Sequence, residues 1–98
     1  MPAPASAPVP DVVHNVAQAR FELHIEGWLC RCDYRIIDGV MHLVHTEVPA
    51  LLEGRGIAAR LVRAALEFAR THQLKVLPRC SYVRVYLQRH PQERDLIA

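Results

Sequence analysis

No apolar run in the sequence approaches the ~20 residues needed to cross a bilayer, and the first residues lack the basic-then-apolar order of a secretory leader. The expectation is an intracellular, cytoplasmic protein without a membrane partner. An excess of one charge is also missing. Twelve Lys and Arg stand against ten Asp and Glu, for a net charge of +2, and the basic residues are spread rather than gathered in one block. A nucleic-acid partner is therefore not expected. Cysteine is sparse and odd in number: three thiols with no leader argue for reduced groups, not a disulfide framework.

What is present is an ordinary globular composition. In 98 residues, 51% are hydrophobic and 22% charged, enough for one core and too little for two. The opening MPAPASAPVPDV is rich in Pro and Ala and offers little to bury, so residues 1–12 are expected to be a flexible tail and residues 13–98 a single domain.

From Arg20 to Glu26 the chain alternates strictly, with Phe21, Leu23 and Ile25 on one face and Glu22, His24 and Glu26 on the other, the pattern of a half-buried strand. Glu26-Gly27 can turn the chain into a second strand, Trp28 to Ile37. Asp38-Gly39 is a strong two-residue hairpin signal before a third strand, Val40 to Val48. Two-residue turns fix the register by counting: Ile25 with Trp28, Ile37 with Val40, Tyr34 with Leu43, Cys32 with His45, Cys30 with Glu47. The core face then carries Phe21, Leu23, Ile25, Trp28, Cys30, Cys32, Tyr34, Ile36, Met41 and Leu43, ending in His45 and Glu47. The opposite face mixes charges with valines, which suits a thinly covered sheet or a partner surface.

Beyond Gly54 the period changes to 3.6: Ile57, Leu61, Ala65 and Phe68 form one stripe, flanked by Ala58, Val62 and Ala69. This helix is expected to end near His72-Gln73. Leu74 to Leu77 reads as a short buried strand before Pro78, and Ser81 as the N-cap of a helix over Tyr82 to Arg89. Strand, helix and strand in succession imply a parallel pair.

Two of the four glycines stand in Glu53-Gly54-Arg55-Gly56-Ile57-Ala58, where the long helix begins. A strand, a glycine-bearing loop and a helix N-terminus together make an anion site, because free N–H groups converge there and absent side chains let a phosphate approach. Arg55 and Arg60 could add charge-assisted contacts. A tight loop needing glycine only for its φ is the plain alternative.

HTEVP, EGRGIAARLV, LKVLPRCSYV and YLQRHP, in this order and spacing, carry a resemblance to the small GCN5-related N-acetyltransferase-like (GNAT-like) family, YjdJ-type and N-acetyltransferase domain-containing proteins. It extends from Phe21 to Ile97. The superfamily's coenzyme loop pattern, V-x-x-x-x-Q/R-x-x-G-x-G/A, falls on Val48, Glu53, Gly56 and Ala58, with Glu53 departing from it. The resemblance implies a truncated GNAT-like α+β fold: a three-stranded antiparallel meander, then helix, strand and helix with one parallel strand pair. It further implies acetyl-CoA as co-substrate, its pyrophosphate on the amides of about Gly54 to Ala58, and its thioester between the parted strands. Val48, Gly54, Arg55, Gly56, Ile57, Ala58, Arg60 and Tyr86 are the expected coenzyme contacts. Nothing helical precedes the first strand, so the amine acceptor, small molecule or protein, is not named.

Cys80 follows the second parallel strand and precedes a helix start, where the dipole and the neighbouring Arg79 favour thiolate. The resemblance makes it the active-site residue, and core filling is its plain alternative. His45 could take a proton from an incoming nucleophile, with Glu47 in support. Tyr82 and Tyr86 could protonate the leaving thiolate, or simply pack the short helix onto the sheet. Cys30-x-Cys32 beside His45 lacks a fourth ligand at metal-site spacing, so no metal is expected. The leading expectation is an acetyl-CoA-dependent acetyltransferase, monomeric or weakly dimeric. A non-catalytic acyl-CoA-binding or protein-interaction module is the main rival, and a zinc or redox protein a third.

Overall fold

The structure, a computed structural model, describes residues 10–98. Both hairpin signals form as the sequence dictates. Glu26 and Gly27, and likewise Asp38 and Gly39, take positive φ, the type I′ geometry whose twist matches the flanking strands. They join β2 (Arg20–Ile25), β3 (Trp28–Ile37) and β4 (Val40–Glu47). A short strand the sequence pattern did not reveal, β1 (Val13–Asn15), pairs antiparallel with β2. Its three residues are too few to show a period; it is held by His14, whose ring stacks on Phe21 and whose Nε2 lies 2.6 Å from the Tyr34 hydroxyl. Burial pushes the His14 imidazole below its ordinary pKa, helped by the charge of His72.

The register follows the count at Ile25↔Trp28, Ile37↔Val40 and Tyr34↔Leu43, and then breaks. A β-bulge gives Asp33 to His45 while Tyr34 keeps Leu43, leaving Val44 as the extra residue. Cys32 therefore pairs with Thr46 instead of His45, and Arg31 instead of Cys30 meets Glu47. The consequence is a change of face: Thr46 takes the core-side position expected for His45, and His45 and Glu47 are exposed. Trp28 and Ile36, also placed in the core by counting, are 47% and 45% exposed because they lie near strand ends.

The chain leaves β4 through a 3-10 turn (Ala50–Leu52) and enters α1 (Ile57–Thr71). The helix buries Ile57, Leu61, Val62, Ala65, Leu66 and Ala69 against the sheet; each fully buried leucine contributes about 1.5–3 kcal/mol. After α1, β5 (Lys75–Pro78) runs parallel to β4 from Val40↔Lys75 to Leu43↔Pro78, completing a five-stranded sheet in the order β1-β2-β3-β4-β5. The fold is α+β and GNAT-like, as expected from the resemblance, with one strand added at the edge. α2 (Ser81–Arg89) adds Val83, Tyr86 and Leu87 to the same core, and a 3-10 segment (Pro91–Leu96) adds Leu96. Of the tail expected over residues 1–12, only the last three are described. There Val12 packs against the core and the Pro10 carbonyl accepts a bond from Arg60. Among the described residues no helix is long and apolar enough to cross a membrane.

Candidate functional site

The parallel rungs stop at Leu43↔Pro78, but β4 runs on to Glu47, so the two strands part company. Beside the free end of β4 opens a cleft of about 530 Å³. One wall is β4 itself, from His45 to Val48; the other is the loop and first turn of α1, through Gly54, Gly56, Ile57 and Ala58.

Gly54 and Gly56 have φ of +82° and +74°, a backbone region that favours glycine at both positions. A Cβ at either would meet nothing within 4 Å. The loop is thus shaped by backbone geometry and also leaves open space above it. Gly56 is the N-cap of α1 and offers no side-chain cap, and the first turn holds no acidic residue. Arg60 N–H bonds to the Gly56 carbonyl at 3.2 Å, so the N–H groups of Ile57, Ala58 and Ala59 precede the first intrahelical bond. Uncapped donors with the helix dipole behind them form an electropositive wall.

The arginines expected at this end are otherwise engaged. Arg55 donates to the Glu26 carboxylate at 2.6 Å. Arg60 donates to the Pro10 carbonyl at 2.9 Å, while its Nη1 is buried with no partner among the described residues. Tyr86 is buried and stacks on His90, away from the cleft; Tyr82, one turn earlier, lines it. Burial pushes the Tyr82 hydroxyl up, Tyr86 adds to this, and Arg89 opposes it.

Cys80 is itself the N-cap of α2, one residue before the expected Ser81, and its N–H and that of Arg79 both donate to the Leu43 carbonyl at 3.0 Å. Its Sγ lies 3.6 Å from the Thr46 hydroxyl, which reaches the Cys32 Sγ at 3.9 Å on its other side. Burial alone would raise the Cys80 pKa. The Thr46 hydroxyl and the nearby N–H groups of Val83, Tyr82 and Thr46 outweigh that cost, although no side-chain bond caps the helix, and the thiol lies below its ordinary value. The sequence credited the helix start and Arg79 with this effect; Arg79 instead gathers with Arg35 and His42, and the Thr46 hydroxyl joins the helix-start amides in lowering the thiol.

Thr46 touches both the cleft and Cys80, and it escaped sequence reasoning because the bulge was not visible in the count. His45 lines the cleft's outer edge with its Nε2 3.7 Å from Glu47, rather than standing beside the thiol. Cys30 is buried and pushed up by burial, and among the described residues no group of three His, Cys, Asp or Glu could hold a metal ion.

This architecture has known counterparts. A family model described as GCN5-related N-acetyl-transferase matches residues 20–96. Protein NATD1 of Mus musculus is 44% identical over 87 residues, covering 82% of this chain and 76% of its own. Protein NATD1 of Homo sapiens is likewise 44% identical over 87 residues, covering 82% of this chain and 74% of its own. In fold, the chain is similar to a GCN5-like protein of Staphylococcus aureus solved by NMR in solution, with a TM-score of 0.73 at 24% identity over 90% of this chain and 87% of that one. The match over most of its length, on this sheet and this helix start, makes the chain a member of the GCN5-related N-acetyltransferase family.

Proposed function

We propose that this domain takes acetyl-CoA as its acyl donor and passes the acetyl group to an amine, with Cys80 as the catalytic thiol. The observation that carries the reading is a convergence on one cleft. An uncapped helix start with no acidic neighbour forms one wall, and Thr46 in the other wall contacts a thiol that favours its thiolate.

In this reading the amides from Gly54 to Ala58 hold the pyrophosphate, and Ile57 and Val48 give the coenzyme an apolar border. Arg55 would exchange the Glu26 carboxylate for a phosphate oxygen, and Arg60 would offer its unmatched Nη1. Acetyl-CoA supplies a thioester carbonyl open to attack. The Cys80 thiolate would attack that carbonyl and displace the coenzyme A thiolate, and the amine would then attack the acetyl carbonyl on sulfur and release the Cys80 thiolate, with Thr46 and the start of α2 holding the sulfur in place. His45, at the cleft's edge, accepts the proton of the incoming amine, and Tyr82, a neutral hydroxyl lining the cleft, returns a proton to the departing thiolate. Tyr86 serves from behind, packing α2 so that Tyr82 faces the cleft.

The test is calorimetric titration of the reduced protein with acetyl-CoA and coenzyme A, followed by intact mass with and without Cys80→Ser. Binding, together with an acetyl adduct that disappears in the variant, is the expected result. Binding without adduct, and no coenzyme A release with any amine, would leave an acyl-CoA-binding module. No binding at all would overturn the phosphate-loop reading.

A further inference from the structure

The face of the sheet away from the core is unevenly charged. Toward β1 and β2 its cations are matched: Arg20 and His24 both reach the buried Glu22 carboxylate. Arg31 lies 3.7 Å from Asp33 and 3.5 Å from Glu47. Toward β5 the matching stops. Arg35 and His42 are cross-strand partners, His42 pairs with Leu77 on its other side, and Arg79 follows two residues later on the same face. With Ile37 and the bulge residue Val44 they line a depression of about 370 Å³ that contains no carboxylate. Among the described residues neither Arg35 nor Arg79 takes part in an ion pair. The Nδ1 of His42 is buried and without a hydrogen-bond partner.

Two guanidinium groups lining one depression repel each other unless an anion lies between them, and a buried ring nitrogen without a partner is seldom left so. Val44, the bulge residue, and Ile37 flank the Arg35–His42 pair from its two ends and give the depression apolar borders. We propose that this depression binds a small amphipathic oxyanion, a carboxylate head between Arg35, Arg79 and His42 with a short aliphatic tail on Val44. Arginine suits the head because its fork can bond both carboxylate oxygens, and Nδ1–H of His42 supplies a further donor. The inference does not rest on acyl transfer, because none of these residues lines the coenzyme cleft.

The experiment follows backbone amide signals of the full chain by two-dimensional NMR during titration with hexanoate and, separately, with inorganic phosphate. Hexanoate is expected to shift Arg35, His42, Val44 and Arg79 saturably and to bind there more tightly than phosphate. Phosphate shifts at Gly54 to Ala58 would belong to the α1 start and are scored apart. Arg35→Gln combined with Arg79→Gln should weaken hexanoate about tenfold or more with a dispersed, folded spectrum, the loss expected when charge-assisted bonds go. Because both arginines are exposed, folding is not at stake. Val44→Ser should narrow the gap between hexanoate and phosphate. Non-saturating shifts, shifts confined to Gly54 to Ala58, equal affinity for the two anions, or unchanged affinity in the double variant would each overturn the proposal.

Discussion

Cys32 and Cys80 reach the same hydroxyl, that of Thr46, from two regions of unlike character: the middle of a strand and the start of a helix. Burial raises the pKa of both. In Cys32 that effect prevails and the thiol is pushed up to about 12, because the Thr46 bond is the only opposing contact and the nearby Cys80 and Asp33 push the same way. In Cys80 the Thr46 bond is joined by the N–H groups of Val83, Tyr82 and Thr46, and the balance reverses. The difference is one of donor supply. Beside the Thr46 N–H, the extra donors are the first amides of a helix, which have no intrahelical partner of their own and can turn to a sulfur.

The largest effect this contrast predicts is in reactivity. At neutral pH, iodoacetamide should alkylate Cys80 and leave Cys32, whose thiol is pushed up to about 12, essentially unmodified over the same interval, besides the difference in access. Peptide mass spectrometry of a timed series checks it. The Cys80 rate should rise with pH through a midpoint below that of an ordinary thiol, since the folded chain lowers its pKa. Equal rates at the two sites would remove the contrast altogether.

Stability should separate the two sites next. Cys32→Ser places a hydroxyl at a fully buried position whose polar neighbour is the Thr46 hydroxyl, 3.9 Å from the present sulfur, at a cost of about 1–3 kcal/mol. Cys80→Ser puts a favoured N-cap residue at an N-cap, so its cost should stay below about 0.5 kcal/mol or become a gain. Urea denaturation of the two variants reads both. Thr46→Val sharpens the comparison from the shared side. Without the hydroxyl the Cys80 pKa should move up and its alkylation at neutral pH slow by about tenfold, the worth of one hydrogen bond to a charged group. Cys32, held up by burial, should stay unreactive.

Local signals made most of the fold legible. Gly27 and Gly39 in their two-residue turns, the alternation of Phe21, Leu23 and Ile25, and the stripe of Ile57, Leu61 and Ala65 each declare an element without help from distant residues. The parallel pairing of β4 with β5 followed from the order of those elements. The bulge was not legible, because an extra residue at Val44 leaves no mark in composition, and it moved Thr46 and His45 to faces opposite to those counted. The site was therefore legible in parts. The glycine loop and Cys80 stand where the sequence places them, but the hydroxyl that links the thiol to the cleft depends on that register, while the Arg35–His42 pair follows the count and Arg79 joins it beyond the parallel pairing of β4 with β5. β1 was hidden for another reason: its stability comes from His14 packing on Phe21, Tyr34 and Phe68, contacts that only the folded sheet assembles.

The smallest effect is the most pointed test of why the two thiols differ. Sequence preference places the α2 cap at Ser81, since serine accepts bonds from helix-start amides and cysteine is a poorer cap. The chain instead starts α2 at Ser81, with Cys80 in extended backbone geometry at the cap and Ser81 exposed on the first turn. Ser81→Ala should then change stability by less than about 0.5 kcal/mol, as for a surface substitution away from any cap, and leave Cys80 alkylation unaltered. A loss nearer 1 kcal/mol, typical of a removed N-cap, would mean that α2 begins one residue later. The amide of Val83 would then bond to the Ser81 side chain, and Cys80 would keep the Thr46 hydroxyl and N–H with less support from the helix start.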